Sequence, residues 1–137
     1  MKVCITSVGP DLDSQVDPRF GRCQYFLIVD EKGKLVKSMP NEGVQAMRGA
    51  GITAAQIVAN EKVEIVITGN IGPNAFLVLN QVGIKIYLGV LNMTSEKALE
   101  MFNQGKLILA KAPVSPGFGP SRRGFGGRGS GRGRGRR

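Results

Sequence analysis

The chain has 137 residues, 42% of them apolar, and a formal net charge of +9. That length suits one domain rather than two. No apolar run reaches the ~18 to 20 residues that span a bilayer, two cysteines are too few for a disulfide framework, and the absence of His removes the usual general base near neutral pH, which weighs against enzymatic chemistry.

Met1 to Val8 reads as a first strand, ended by Gly9-Pro10. It has no signal-peptide layout, which predicts a cytoplasmic protein without a membrane partner. A polar loop, Asp11 to Arg22, leads into a second strand from Cys23 to Asp30. Glu31-Lys32-Gly33-Lys34 has turn chemistry and predicts a hairpin to a third strand, Leu35 to Met39. After a loop, Ile52, Ala55, Gln56 and Ala59 fall at i, i+3, i+4 and i+7, predicting a helix from Gly51 to about Asn60. Glu64 to Thr68 is a β-branched strand of the buried kind. Gly69-Asn70-Ile71-Gly72-Pro73 is a tight turn with Pro73 suited to a first helical position, so Asn74 to Gln81 continues as a short helix. Ile84 to Leu88 is a further strand. A third helix begins at Thr94-Ser95-Glu96-Lys97 and ends at Gly105. Leu107 to Ala110 reads either as a last edge strand or as an extended tail.

The order β-β-β-α-β-α-β-α implies parallel crossovers joined to an antiparallel hairpin. The expected architecture is therefore α/β, a mixed sheet of about five strands with helices on both faces, formed by residues 1–111. Residues 112–137 change character. Pro, Gly and Ser dominate, followed by Gly-Arg repeats with almost nothing apolar to bury, which predicts a disordered tail. Seven Arg and no acid lie from Ser121 onward, so seven of the nine excess charges belong to the tail.

Three features invite chemistry. Asp17-Pro18-Arg19-Phe20-Gly21-Arg22-Cys23 sets two guanidinium groups and a thiol beside an aromatic ring. Arg forks bind oxyanions, and a thiolate with a lowered pKa ligates soft metals. Composition alone favours a plainer reading, in which Phe20 anchors the loop, Asp17 pairs with an Arg and Cys23 is a small core residue. The second feature is a pair of Gly-containing turns, Gly49-Ala50-Gly51 and Gly69-Asn70-Ile71-Gly72, each placed before a helix. They would turn free backbone N–H groups toward one rim, where ligands of open α/β sheets sit. The third is Asp11, Asp13 and Asp17, whose spacing fits turn formation better than a metal site. Cys4 lies inside the first strand and reads as a buried, inert thiol, leaving Cys23 as the candidate metal ligand.

Four segments in order, Met1-Lys2-Val3-Cys4-Ile5-Thr6, Asp17-Pro18-Arg19-Phe20-Gly21-Arg22, Gly49-Ala50-Gly51-Ile52 and Gly69-Asn70-Ile71-Gly72-Pro73-Asn74-Ala75, resemble the dinitrogenase iron–molybdenum cofactor biosynthesis family, which includes NifX, NafY and the C-terminal domain of NifB. The resemblance covers about residues 1–111. It implies a ribonuclease H-like three-layer fold without nuclease activity, and a non-enzymatic binder or carrier of iron–sulfur or iron–molybdenum clusters or their precursors. On that resemblance, Arg19, Phe20, Gly21, Arg22, Gly49, Gly51, Gly69, Asn70 and Gly72 are the expected cofactor-binding residues and Cys23 the metal ligand. Cluster donor or acceptor proteins are the expected partners, and a single Cys would suit a cluster shared in a homo-oligomer. Family members that carry nitrogenase cofactor often add His, which this chain lacks. The alternative expectation is a nucleic-acid-binding protein whose RGG-like tail contacts RNA or another polyanion while the domain is a scaffold.

Overall fold

A computed structural model describes residues 2–41 and 49–111. The expected tail, 112–137, lies outside the described residues, as do Met1 and residues 42–48. The elements are β1 (Val3–Ser7), β2 (Tyr25–Val29), β3 (Leu35–Pro40), α1 (Ala50–Asn60), β4 (Ile65–Ile67), α2 (Pro73–Gln81), β5 (Lys85–Leu88), α3 (Ser95–Asn103) and β6 (Ile108–Leu109).

One sheet contains all these strands, in the order β3-β2-β1-β4-β5-β6. The hairpins pair antiparallel, with Cys4 opposite Ile28 and Ile28 opposite Lys37. β1, β4 and β5 run parallel, with Cys4 opposite Val66 and Val66 opposite Ile86. The sheet is thus mixed, as expected, but six-stranded rather than five. The sixth strand is the ambiguous stretch after α3. Leu109 pairs with Tyr87 and Ile108 with Leu88 on the free edge of β5. A two-residue edge strand carries no alternation long enough to be read from sequence.

The β2–β3 turn shows how local chemistry fixes the register. Gly33 takes φ +82°, a region where a side chain is strained. The Asp30 carboxylate accepts hydrogen bonds from the Lys32 and Lys34 backbone N–H groups, each at 2.9 Å. These bonds, that from Lys34 foremost, hold its carboxyl below the ordinary carboxylate value.

Side-chain alternation along the strands divides the interior into two cores. Cys4, Phe26, Ile28, Val66, Ile86 and Leu88 face α1 and α2. Val3, Ile5, Leu27, Val29, Ile65 and Ile67 face α3. α1 contributes Ala54, Ala55 and Val58 and α2 contributes Ala75, Phe76 and Leu79 to the first core, whereas α3 contributes Ala98 and Leu99 to the second. The small α1 residues let that helix lie close to the sheet and to α2. Consequently, the loops after β1 and β4 and the N-termini of α1 and α2 gather at one end of the sheet.

Candidate functional site

The site begins with two threonines. Thr6, in β1, accepts the Asp17 N–H on its carbonyl at 3.0 Å. Its hydroxyl donates to the Asp17 carbonyl at 2.7 Å and shares a 2.8 Å hydrogen bond with the hydroxyl of Thr68, just after β4. Both threonines are fully buried. They tie the β1–β2 loop to the β4–α2 turn. The tie continues as a short parallel bridge between Arg19 and Asn70, where Asn70 N–H donates to the Pro18 carbonyl at 2.6 Å and Phe20 N–H to the Asn70 carbonyl at 3.2 Å. Gly69 makes this approach possible: a Cβ there would lie 2.7 Å from Pro18 Cβ and 2.9 Å from the Pro18 carbonyl oxygen. The buried Asp17 carboxylate accepts the Arg19 backbone N–H at 3.0 Å and its Nε at 3.4 Å, turning the chain so that the next ring, Phe20, enters the core.

Beyond Phe20 the loop meets α1. A Cβ on Gly21 would stand 2.9 Å from the Gly51 backbone, and one on Gly51 would touch Ala75 of α2 at 3.4 Å. This glycine stack draws the two helix starts together. Between them opens a cleft of about 220 Å³, lined by Gly21, by Gly49 to Ile52 and by Gly72 to Ala75. No acidic side chain lines it among the described residues. Among the described residues neither N-terminus has a side-chain cap, and neither helix has an acidic residue in its first turn. Each helix therefore presents uncapped N–H groups and the positive end of its dipole. α3 differs at every point: Thr94 accepts the Lys97 N–H at 3.1 Å, Glu96 sits in the first turn, and the Ser95 and Glu96 N–H groups donate to the Ser14 and Leu12 carbonyls.

A family model described as Dinitrogenase iron-molybdenum cofactor matches residues 1–105. The chain belongs to that family. It is 35% identical over 112 residues to an uncharacterized protein of Methanocaldococcus jannaschii, covering 78% of this chain and 93% of the relative. It is similar to the apo form of the orange protein from Desulfovibrio gigas, with a TM-score of 0.80 and 34% identity over 83% of this chain and 96% of the other. A Thermotoga protein of the DUF35 family, solved by NMR, superposes with a TM-score of 0.73 at 34% identity, over 85% of this chain and 98% of that one.

Within this family framework the expected residues separate. Gly21, Gly49, Gly51 and Gly72 come together in the cleft wall. Gly69, Asn70, Arg19 and Arg22 do not line it: Asn70 bridges to Arg19, the Arg19 side chain pairs with Asp17 at 3.4 Å, and the Arg19 and Arg22 side chains are exposed. Phe20 and Cys23 do not line the cleft. Phe20 is 2% exposed, its ring centroid 6.0 Å from that of Phe26, so the ring is an anchor for the loop rather than a ligand contact. The Cys23 side chain is buried in the same core and accompanied by Asn41, whose Nδ2 donates to the Cys23 carbonyl at 2.9 Å and to the Gly21 carbonyl at 3.2 Å. Burial, reinforced by the Asp17 carboxylate, raises its pKa far above the ordinary thiol value. The expectation of a thiolate activated by neighbouring Arg is thereby corrected: desolvation outweighs Arg19, and the resting form is the neutral thiol. Cys4, as expected, is buried, and burial raises its pKa too. Among the described residues, no group of three or more His, Cys, Asp or Glu side chains could hold a metal ion. The expected set omitted Ala50, Ile52, Pro73, Asn74 and Ala75, which also line the cleft. Their available signal was position, in the first turn of a helix that starts from a glycine turn.

Proposed function

We propose that this protein is a non-enzymatic carrier whose cargo is an anionic metal–sulfur cluster, of the iron–sulfur or iron–molybdenum–sulfur type, or a precursor of one. The observation that carries the reading is the convergence of two helix N-termini on one cleft, both uncapped and the cleft without an acid among the described residues. Such ends bind anions through N–H donation and dipole charge. Gly72 adds to it. Its φ is an unstrained −80° and a Cβ there would meet nothing within 4 Å, so neither backbone nor packing demands glycine. The missing side chain keeps room for cargo against the backbone. Gly49 is equally open, though its φ of +72° also favours glycine. Ala50 to Ile52 and Asn74-Ala75 supply N–H donors, and Arg22, next to the cleft residue Gly21, adds exposed positive charge nearby in sequence. Family membership supports the cargo class, and cluster donor and acceptor proteins are the partners it implies. The strand order 3-2-1-4-5 with helices on both faces supports a ribonuclease H-like reading of the layers.

Because Cys23 is buried as a thiol, charge and N–H donation are the primary hold, and direct ligation by Cys23 requires its turn to open. Loading the full chain without oxygen, with ferrous iron and sulfide and separately with tetrathiomolybdate, tests the reading. Charge-transfer absorption should co-elute with the protein, and Gly72→Val should lose it while staying folded, with a stability loss of about 1 kcal/mol from the poorer helix N-cap. Cys23→Ala should retain most of it. A colourless, metal-free protein after both loadings would overturn the carrier reading.

A further inference from the structure

Asn41 does not line the cleft, yet it is hydrogen-bonded to the segment that forms part of the cleft wall. It follows β3 directly and is 3% exposed. Its backbone N–H donates to the Gln24 carbonyl at 2.9 Å, extending the β2–β3 pairing by one residue. Its side-chain Nδ2 turns toward the residues before β2. It donates to the Gly21 carbonyl at 3.2 Å and to the Cys23 carbonyl at 2.9 Å, and lies 3.8 Å from Cys23 Sγ. One buried residue thus grips the chain at Gly21, Cys23 and Gln24.

The chemistry of this clamp is specific. A primary amide carries two N–H groups on one nitrogen and can serve two carbonyls at once, whereas a hydroxyl has one hydrogen and a carboxylate none. The two carbonyls flank Arg22, whose side chain is exposed. Their residues have different surroundings. Gly21 lines the cleft, and its backbone packs on α1 so closely that a Cβ would stand 2.9 Å from Gly51. Cys23 is fully buried in the core with Phe26 and Ala75. The Asn41 side chain therefore fixes two things together: where the Gly21 wall stands, and on which side of the segment the thiol lies. Without this donor the two carbonyls would be satisfied by moving the segment toward water. We propose that Asn41 is the positioning residue of the cleft, holding Gly21 in the wall and the Cys23 thiol out of reach of the cargo. The cargo's identity rests on the carrier reading; the clamp does not. With the clamp closed, cargo is held by charge and N–H donation, and leaves without a metal–thiolate bond being broken.

Cys4 supplies an internal reference, because it is buried in the same core but lies in β1, not in the clamped segment. Burial keeps both thiols neutral, so at about pH 7.5 iodoacetamide reaches each one only when its surroundings open. Arg19 and Arg22 place them in different tryptic peptides, which mass spectrometry reads separately. In full-length Asn41→Ala, labelling of Cys23 should quicken about ten- to a hundredfold, the range that two lost hydrogen bonds allow, while Cys4 quickens far less. Asn41→Asp keeps the shape without a donor and should do the same. Cargo gives a second readout. After loading with ferrous iron and sulfide, the absorption of Asn41→Ala should fall several-fold when Cys23→Ala is added, whereas the parent should keep most of its absorption on that substitution. The proposal is overturned if either Asn41 variant leaves Cys23 as protected as in the parent, or if Cys4 and Cys23 quicken equally, since Asn41 would then hold the whole fold rather than one segment. It is overturned too if Cys23→Ala changes loading equally in both backgrounds. A parent that loads no cargo removes the carrier reading alone, and the labelling rates then decide the clamp.

Discussion

Helices α1 and α2 begin as exposed polar ends left unfinished, whereas α3 begins as a finished one. At α3, Thr94, Glu96 and the carbonyls of Leu12 and Ser14 satisfy the first turn. At α1 and α2 no side chain does so among the described residues, and the two ends face the same cleft. The same loop, Val8 to Gln24, serves both: its first half closes over α3, and its second half carries Gly21 to the rim of the cleft. Stability is invested at α3, and at the cleft it is forgone in favour of open donors. The glycines divide in the same way. Gly21 and Gly69 are required by close backbone approach, and Gly72 only by the space it leaves.

The largest effect should come from filling a required approach. Gly69→Ala forces a methyl against the Pro18 backbone, and a loss of about 3 kcal/mol is expected in urea unfolding, with a somewhat smaller loss for Gly21→Ala. Equal stability of Gly69→Ala and Gly72→Ala would erase the division between glycines that pack and glycines that make room.

The dry floor beneath the cleft gives the next effect. Cys4 and Cys23 have folded pKa values raised above the ordinary value of 9.0. Their contribution is fully present below pH 9 and declines above it, because the unfolded chain then releases protons that the folded chain keeps. The expected loss is about 1.4 kcal/mol per pH unit for each thiol. Urea midpoints of the parent and of Cys23→Ala between pH 8 and 10 measure it: the substitution should shallow the decline, and parallel curves would mean that Cys23 is ionisable in the fold.

The smallest effects bear most directly on the two kinds of helix start. Thr94→Ala should cost about 1 kcal/mol by removing the cap of α3, with cargo loading unchanged. Asn74→Asp should do the reverse. A carboxylate in the first turn of α2 should raise stability by about 0.5 kcal/mol through the helix dipole while weakening uptake of tetrathiomolybdate by like charge. If Asn74→Asp loads as well as the parent, the open ends are not where the anion sits.

Much of this architecture was legible along the chain. The strand–helix alternation, the Gly33 turn, Pro73 at a helix start and the inert Cys4 come from local patterning and turn chemistry. The five-strand expectation fell short at Ile108-Leu109 because so short an edge strand is defined by its partner β5. At the site, Gly49 and Gly72 could be read as helix starts, and composition already favoured Phe20 as an anchor, Asp17 paired with an Arg and Cys23 in the core, as the structure has them, although spacing alone did not exclude the ligand reading. A loop's side chains turn inward or outward according to the hydrogen bonds that clamp its backbone, here those among Thr6, Asp17, Thr68 and Asn70, residues far apart in sequence.

Sequence by itself determined the α/β class, the family resemblance, the two Gly turns and the concentration of charge after Ser121, since each depends on residues close together in the chain. Tertiary structure alone decided that the two helix starts share one cleft without an acid among the described residues, that burial keeps Cys23 a neutral thiol, and that the described fold ends at Lys111 by the start of β5. Convergence, desolvation and relative position depend on which distant segments the sheet brings into contact, and no local pattern encodes that.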